Sequence, residues 1–323
     1  MKLLLREAGY MQVLITANSF GKHDGQVWKI LTENGFEIKN NPYGRIMNEQ
    51  EMLQLITGID AIILGTEILN AKIIQHANNL KIVSRYGVGI DNVDAAALKA
   101  RGILLTVTQG SNNQAVADFT IGLMLDVARG ISYVDRKLRL SEWEKKIGID
   151  LCGKLVGVIG LGAIGREVVK RLKGFECDIY GYDIHYDDVF CEKYKVKKAS
   201  LKEIFMNSDF ITLHIPAISF SKPLIGKEEI GMMKKNVVII NTARSSLVDD
   251  EALISALQEK RIFGAGIDAQ LSARELDERY LNLDNVVVTP HNAAVSIEAS
   301  NKMSYTAVKN IIDFFNKRRD ISG

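Results

Sequence analysis

The sequence predicts an α/β protein of two doubly wound parallel-sheet domains, one inserted within the other. Three observations carry that prediction. Short apolar runs alternate with helical patterns over the first hundred residues. The stretch 155–183 reads as strand, glycine turn, helix, second strand and acid. Strand-like runs then continue to residue 289, followed by one long helical pattern. Strands regularly separated by helices imply parallel sheets with helices on both faces, and 323 residues suffice for two cores.

In order, the first domain opens with a strand over 13–16, a helix over 24–34 closed by Gly35, and a strand over 36–38. A turn at Asn41-Pro42, a helix over 49–56 and the apolar strand 61–64 follow. A helix over 72–77, a strand over 81–84, a helix over 95–100 closed by Gly102 and a strand over 103–107 complete the alternation. The next helix, roughly 114–129, is apolar nearly all round at its centre, the mark of a buried helix, and is placed at the domain junction. The second sheet is expected to use 155–159, 178–182, 210–213, 237–240, 264–267 and 286–289, with a helix over 249–260. The last helix, about 296–316, is too long for a strand connection and is read as returning the chain to the first domain. The resulting partition is 1–109 with 297–323 for one domain and 110–296 for the other.

Leu155 to Ile159 has the composition of a strand buried on both faces. It runs into Gly160-Leu161-Gly162-Ala163-Ile164-Gly165, a G-x-G-x-x-G turn that opens a helix. The first glycine permits the tight turn, the second lets backbone approach a pyrophosphate, and the third lets helix pack on strand. The helix N-terminus offers N–H groups and a positive dipole end to that pyrophosphate. Asp183, at the end of the next strand, would accept the ribose hydroxyls and repel a 2′-phosphate, favouring NAD over NADP. A glycine motif alone is a weak signal. With strand, helix, second strand and acid in register it reads as a Rossmann dinucleotide site.

Hydrophobic content of 47%, charged content of 25% and a net charge of +2 give no electrostatic reason to expect nucleic acid or membrane partners. The lysines at 193, 195, 197, 198 and 202 and the basic run 317–319 read as solvated faces. Three cysteines without CxxC spacing indicate free thiols in a reducing cytoplasm and no metal site. Residues 1–10 are too interrupted by charge for a signal peptide, and no stretch reaches the apolar length of a membrane span.

In an open parallel sheet, ligands bind outside the carboxyl ends of the strands. Past the strands of the second domain stand Gly160, Asp183, His214, Arg244, Asp268 and His291. His291, placed rigidly by Pro290, is the candidate acid/base. His214, before Ile215-Pro216, reads as structural or as a cofactor wall. Arg244 suits a carboxylate, which its planar fork binds through two parallel hydrogen bonds.

These residues resemble the D-isomer-specific 2-hydroxyacid dehydrogenase family, most closely its 3-phosphoglycerate dehydrogenase-like branch. The likeness is carried by LKIVSRYGVGIDNVD at 80–94, GKLVGVIGLGAIGREV at 153–168, NVVIINTARSSLVDDEALISAL at 236–257 and NVVVTPH at 285–291. It implies a substrate domain built from both chain ends, an inserted NAD domain and a homodimer. It further implies that Arg244 holds the substrate carboxylate and keto oxygen and that His291 is the proton donor and acceptor. Backbone amides around Val88 and Gly89 would grip the carboxylate, with Arg85 nearby. Thr108, Gly160, Gly162, Ala163, Ile164, Gly165, Asp183, His214, Pro216, Thr242, Ala243, Asp268 and His291 would line the cofactor.

Several positions depart from the family's pattern. Gly65 stands where many relatives carry arginine, Gln109 replaces a usual proline, Ser245 replaces a glycine, and Ala293-Ala294 replaces a glycine-containing pair. The chain also reaches Gly323 without the appended regulatory domain of some phosphoglycerate enzymes. The glutamate that normally pairs with the histidine falls on Ala273, leaving Glu275 or Glu278 as the nearest replacements. Two readings follow. One is an NAD(H)-dependent dehydrogenase acting on D-3-phosphoglycerate or a related small hydroxy acid; the other is an NAD(H)-binding sensor or partner-binding module with lost or weak catalysis.

Overall fold

The computed structural model describes residues 11–216, 222–268 and 276–322, with side chains as far as residue 317. The chain divides into two compact units. One comprises the described residues up to Asn112 and from Val295 onward, and the other is Asn113–Ala294.

The first unit is a five-stranded sheet of β1 (Met11–Ile15), β2 (Phe36–Asn40), β3 (Ala61–Leu64), β4 (Ile82–Arg85) and β5 (Leu104–Val107). All pairs are parallel, in the order β2-β1-β3-β4-β5. Successive residues of a strand face opposite ways, so Leu14, Ile62, Leu64 and Val83 meet Met52, Ile56, Ile73, Ile74 and Leu98 of three helices on one face. The Gln26–Glu33 helix and the Ile297–Ser322 helix belong to this unit as well. The latter is tied to it by bonds from Tyr86 Oη to the Ser300 carbonyl (2.7 Å) and from Asn310 Nδ2 to the Val107 carbonyl (3.2 Å). The Glu49–Ile56 helix starts with a reciprocal cap between Asn48 and Glu51, which satisfies two N–H groups that a helix end otherwise leaves open.

The second unit is a seven-stranded parallel sheet of β6 (Leu155–Ile159), β7 (Asp178–Tyr182), β8 (Val196–Lys198), β9 (Phe210–Leu213), β10 (Val238–Asn241), β11 (Gly264–Ile267) and β12 (Val286–Val288). Its order is β12-β11-β10-β9-β6-β7-β8, the doubly wound arrangement that reverses direction between β6 and β9. Val156, Val158, Val238 and Ile240 pack with Leu123, Val127, Val168 and Leu172 on one face. Ile159, Ile211, Leu213 and Ile239 pack with Ile204, Leu253 and Leu257 on the other. The helix expected at a domain junction, Asn113–Arg129, buries its apolar residues in this second core.

The units part three residues later than the sequence suggests at the first crossing and two earlier at the second; Lys302 Nζ donates to the Gly110 carbonyl (3.0 Å) and the Ser111 and Thr306 hydroxyls lie 3.3 Å apart, which ties residues 110 and 111 to the first unit. Strand β8 and the helices Ile131–Arg139, Asp188–Lys193, Leu201–Asn207 and Lys227–Met232 have no counterpart in the sequence reading. Among the described residues, no helix is long and apolar enough to cross a membrane, and no group of acids, histidines and cysteines could hold a metal ion. Cys152 is exposed and Cys177 and Cys191 are buried, all as free thiols.

Candidate active site

The glycine turn after β6 divides its three glycines by task. Gly160 has φ +100°, and a Cβ there would meet the His214 carbonyl oxygen at 2.6 Å. A Cβ on Gly165 would penetrate the carbonyl oxygen of Gly160. These two glycines are demanded by the protein's own packing. Gly162 differs, since a Cβ there would meet nothing within 4 Å. It is exposed and serves as N-cap of the Ala163–Leu172 helix without a side-chain cap. Early N–H groups of a helix need partners, and the open space at Gly162 leaves room for one. A helix start of this kind can receive a phosphate.

Asp183 sits where β7 ends, and its Oδ2 accepts the Leu161 N–H at 2.7 Å while Oδ1 accepts the His185 N–H at 3.1 Å. The acid therefore fastens the glycine turn to the second strand. Each carboxylate oxygen has a further lone pair for a ribose hydroxyl. His214 follows β9, with its Nε2 2.9 Å from the Thr212 hydroxyl. Desolvation drives its pKa down to about 3, so the ring is neutral near pH 7 and is no acid/base there. Pro216, two residues on, is exposed.

At the end of β10 the backbone is shaped by Asn241. Its Oδ1 accepts the Ala243 N–H (3.0 Å) and its Nδ2 donates to the Arg244 carbonyl (2.8 Å), a side-chain-built turn. Thr242 is buried, with its hydroxyl 3.1 Å from that of Thr120 on the long helix. Arg244, half-buried, donates from Nη1 to the Ala243 carbonyl at 2.8 Å.

Past β12, His291 has left-handed backbone at φ +52°, an uncommon conformation for a side-chain-bearing residue. It is held there from the neighbouring strand. The Asp268 carboxylate, 1% exposed, accepts the N–H groups of Asn292 and Ala293 at 2.7 Å each, and also the Thr289 hydroxyl. The Asp268 carbonyl lies 3.0 Å from His291 Nδ1. A carbonyl oxygen only accepts, so Nδ1 is the donor of that bond.

The first unit has its own set of groups at its strand ends. Arg85 closes β4 and donates from Nη1 to the Leu64 carbonyl (3.4 Å) and the Tyr86 carbonyl. Gly87, at φ +139°, gives its N–H to the buried Thr108 hydroxyl (2.8 Å), and the Thr108 N–H returns to the Gly87 carbonyl (3.0 Å). Thr108 thus pins the loop that presents Val88 and Gly89, both half-buried.

Residues 121–293 match the family model for the NAD-binding domain of D-isomer-specific 2-hydroxyacid dehydrogenases. The hydroxypyruvate reductase of Thermotoga maritima is 35% identical over 271 residues, covering 82% of this chain and 88% of that one. The chain belongs to the D-isomer-specific 2-hydroxyacid dehydrogenase family. The D-3-phosphoglycerate dehydrogenase of Methanocaldococcus jannaschii is 39% identical over 258 residues, 78% of this chain and 49% of that one. This family member spans about half the length of the phosphoglycerate dehydrogenases it matches. The apo structure of Escherichia coli D-lactate dehydrogenase superposes with a TM-score of 0.82 at 25% identity, covering 95% of this chain and 98% of that one. The second unit is thus the family's NAD-binding Rossmann domain, inserted in a discontinuous partner domain, and the cofactor is NAD.

Of the family's expected site residues, Ala273 and its candidate substitute Glu275 lie outside the described residues. Glu278 is exposed at the start of a short 3-10 turn and makes no bond to His291. The sequence reading did not single out Asn241, Thr120 or Thr289, which shape the turns that carry Arg244 and His291. An asparagine two residues before a turn was the one available signal, and only for Asn241.

Proposed function

We propose that the chain is an NAD(H)-dependent D-2-hydroxyacid dehydrogenase that reduces a small 2-keto acid or oxidises the corresponding hydroxy acid. The observation that carries this reading is the way Asp268 holds His291 past the end of β12, its carbonyl at Nδ1 and its carboxylate on the two amides that follow. Bound NADH supplies the hydride that arrives at C2. Arg244 would hold the substrate carboxylate and keto oxygen through its fork. His291 would deliver a proton from Nε2 to the keto oxygen, giving the alcohol, and would take it back in the reverse direction. Arg85 and the amides of Val88 and Gly89 would bind the carboxylate. Asp183 would receive the ribose hydroxyls, and the helix start at Gly162 with Ala163 and Ile164 the pyrophosphate. Thr242, Ala243, Pro216 and His214 would wall the cofactor; Thr108 and Asp268 would act by positioning the loops they bind.

The test is a panel of 2-keto acids followed by NADH consumption, with Arg244→Lys and His291→Ala as controls. On an accepted substrate His291→Ala should lower kcat by roughly 10²–10⁴, the usual worth of a general acid/base. Arg244→Lys should also be damaging, because a point charge cannot reproduce two parallel bonds. Ala273, at the family's glutamate position, favours a second reading as an NAD(H)-binding module with feeble catalysis. If no keto acid is turned over by the protein or by Ala273→Glu, that second reading stands.

We further infer a homodimer. The Ile131–Arg139 helix has no buried residue, and Ile131, Leu138, Leu140, Trp143 and Ile147 are 55%, 55%, 65%, 85% and 93% exposed. Large apolar residues concentrated on one short stretch mark an interaction surface, and a second copy supplies a matching apolar stretch. Light scattering should give twice the chain mass, and Trp143→Glu should shift it toward one. Free thiols suit the cytoplasm.

A further inference from the structure

The acid at the end of β7 belongs to a ring of bonds that runs through an arginine. Asp183 Oδ2 accepts the Leu161 N–H, and the carbonyl of the same Leu161 accepts from Arg166 Nε at 2.8 Å. Arg166 Nη1 donates to Asp187 Oδ2 at 2.7 Å, and the short segment 184–186 leads back to Asp183. The Arg166 guanidinium lies over the Phe190 ring, 5.3 Å from its centroid, while Asp187 Oδ1 caps the Phe190 N–H at 3.0 Å. Two hydrogen bonds and the backbone of one residue separate guanidinium from acid, so Arg166 Nε lies within about 9 Å of Asp183 Oδ2.

Arg166 is thus a cation beside the ribose acid whose fork is already engaged. A guanidinium is the side chain that grips a phosphate best, through two parallel N–H donors. Here Nη1 is taken by Asp187, and Nη2 makes no hydrogen bond among the described residues. The Phe190 amide and the Arg166 charge hold the Asp187 carboxyl below the usual carboxylate range, so the pair is ionic near pH 7. The two side chains are 37% and 39% exposed, so a solute can reach them. An ion pair that open contributes little to stability, which leaves it free to be altered in a folded protein. Asp183, Arg166 and Asp187 together carry one net negative charge.

We propose that Asp187 is a specificity-determining residue for the cofactor: it keeps the Arg166 fork from gripping a 2′-phosphate and so reinforces the choice of NAD over NADP. The inference rests on the reading of Asp183 as the ribose acceptor and deepens it. A phosphate on the 2′-oxygen brings up to two negative charges to the ribose edge. In the unmodified protein it meets a net anionic trio and a guanidinium that is already paired. With residue 187 neutral, the trio is uncharged and both terminal nitrogens of Arg166 are open to a bidentate grip. NADH has no phosphate there and gains nothing from the change.

The experiment titrates NADH and NADPH by fluorescence into the full chain and its variants, and reads the ratio of the two Kd values. Asp187→Asn keeps an oxygen to cap the Phe190 N–H while removing the charge, and it should narrow the preference for NADH by about tenfold. Asp187→Glu keeps the charge and should hold the ratio near its original value. Adding Arg166→Met to Asp187→Asn should restore the original ratio, since no fork remains. A ratio unmoved by Asp187→Asn overturns the proposal, because a purely structural role would weaken both cofactors alike. A ratio still narrowed in the double variant overturns it too, as does an unmodified protein that binds NADPH as tightly as NADH. If Asp187→Asn does not fold, Arg166→Met alone decides: Asp187 is then uncompensated, so the preference for NADH must widen, and an equal or narrower one refutes the proposal. The ribose role of Asp183 is judged apart, by NADH affinity alone in Asp183→Ala.

Discussion

His291 Nδ1 lies 3.0 Å from the carbonyl oxygen of Asp268, the residue whose carboxylate also receives the amides of Asn292 and Ala293. One residue thus sets both the ring's tautomer and the left-handed backbone that carries it. In Asp268→Asn, an amide N–H₂ would face at least one of those N–H groups. Breaking a hydrogen bond to a charged group costs about 1.5–3 kcal/mol, so the melting temperature should fall by several degrees. Turnover should drop more than NADH affinity does. Unchanged kcat in a folded variant would show that the loop needs no such anchor.

The glycine turn separates folding from binding. Gly165→Ala should fail to fold or melt far below the unmodified protein, since the new methyl would overlap the Gly160 carbonyl. Gly162→Ala should keep its melting temperature, because the space around it is open, yet weaken NADH by about tenfold or more by crowding the pyrophosphate. Fluorescence titration of NADH against both melting curves separates the two effects.

Asp183→Ala should weaken NADH and narrow the preference over NADPH, because a ribose acceptor and an anionic barrier vanish together. It should also loosen the turn itself, since the Leu161 N–H loses its partner. Tighter binding of NADPH than NADH by the unmodified protein would contradict the assignment.

His214 gives a pH dependence of known sign. Its folded pKa of about 3 lies below the ordinary value near 6.5, so the unfolded chain binds the proton more readily. Its contribution to stability is complete above about pH 6.5 and is lost as pH falls toward 3. His214→Gln should flatten the acid limb of the stability curve between those limits. It should leave any activity transition near neutral pH in place, because that transition belongs to another group.

The fold was legible where burial imposed a clean pattern. Leu155–Ile159, Asp178–Tyr182, Phe210–Leu213 and Gly264–Ile267 are short apolar runs closed by turn residues, and their limits coincide with the strands. Val196–Lys198 escaped notice because only Val196 of its three residues is buried and two lysines cover the sheet edge. The Ile131–Arg139 helix did carry an apolar stripe, Ile131, Val134 and Leu138 at helical spacing, which was passed over. The Leu201–Asn207 helix did carry a start signal in Ser200 and Glu203, a reciprocal cap that was passed over. In the site, residue types at strand ends could be read from chain order. The hold of Asp268 on residues 292–293 and that of Asp187 on Arg166 could not, because each joins segments more than twenty positions apart.

The terminal helix imposes an order on biosynthesis. The first unit begins to emerge from the ribosome before the second, yet Ala307, Val308 and Ile311, which complete its interior, are made only after the second unit. The inserted unit, continuous from Asn113 to Ala294, can close while its host is still open. Until then one apolar face of the five-stranded sheet waits only partly covered, by the Gln26–Glu33 helix, so a ribosome stalled near residue 296 would display a finished Rossmann domain flanked by an aggregation-prone half.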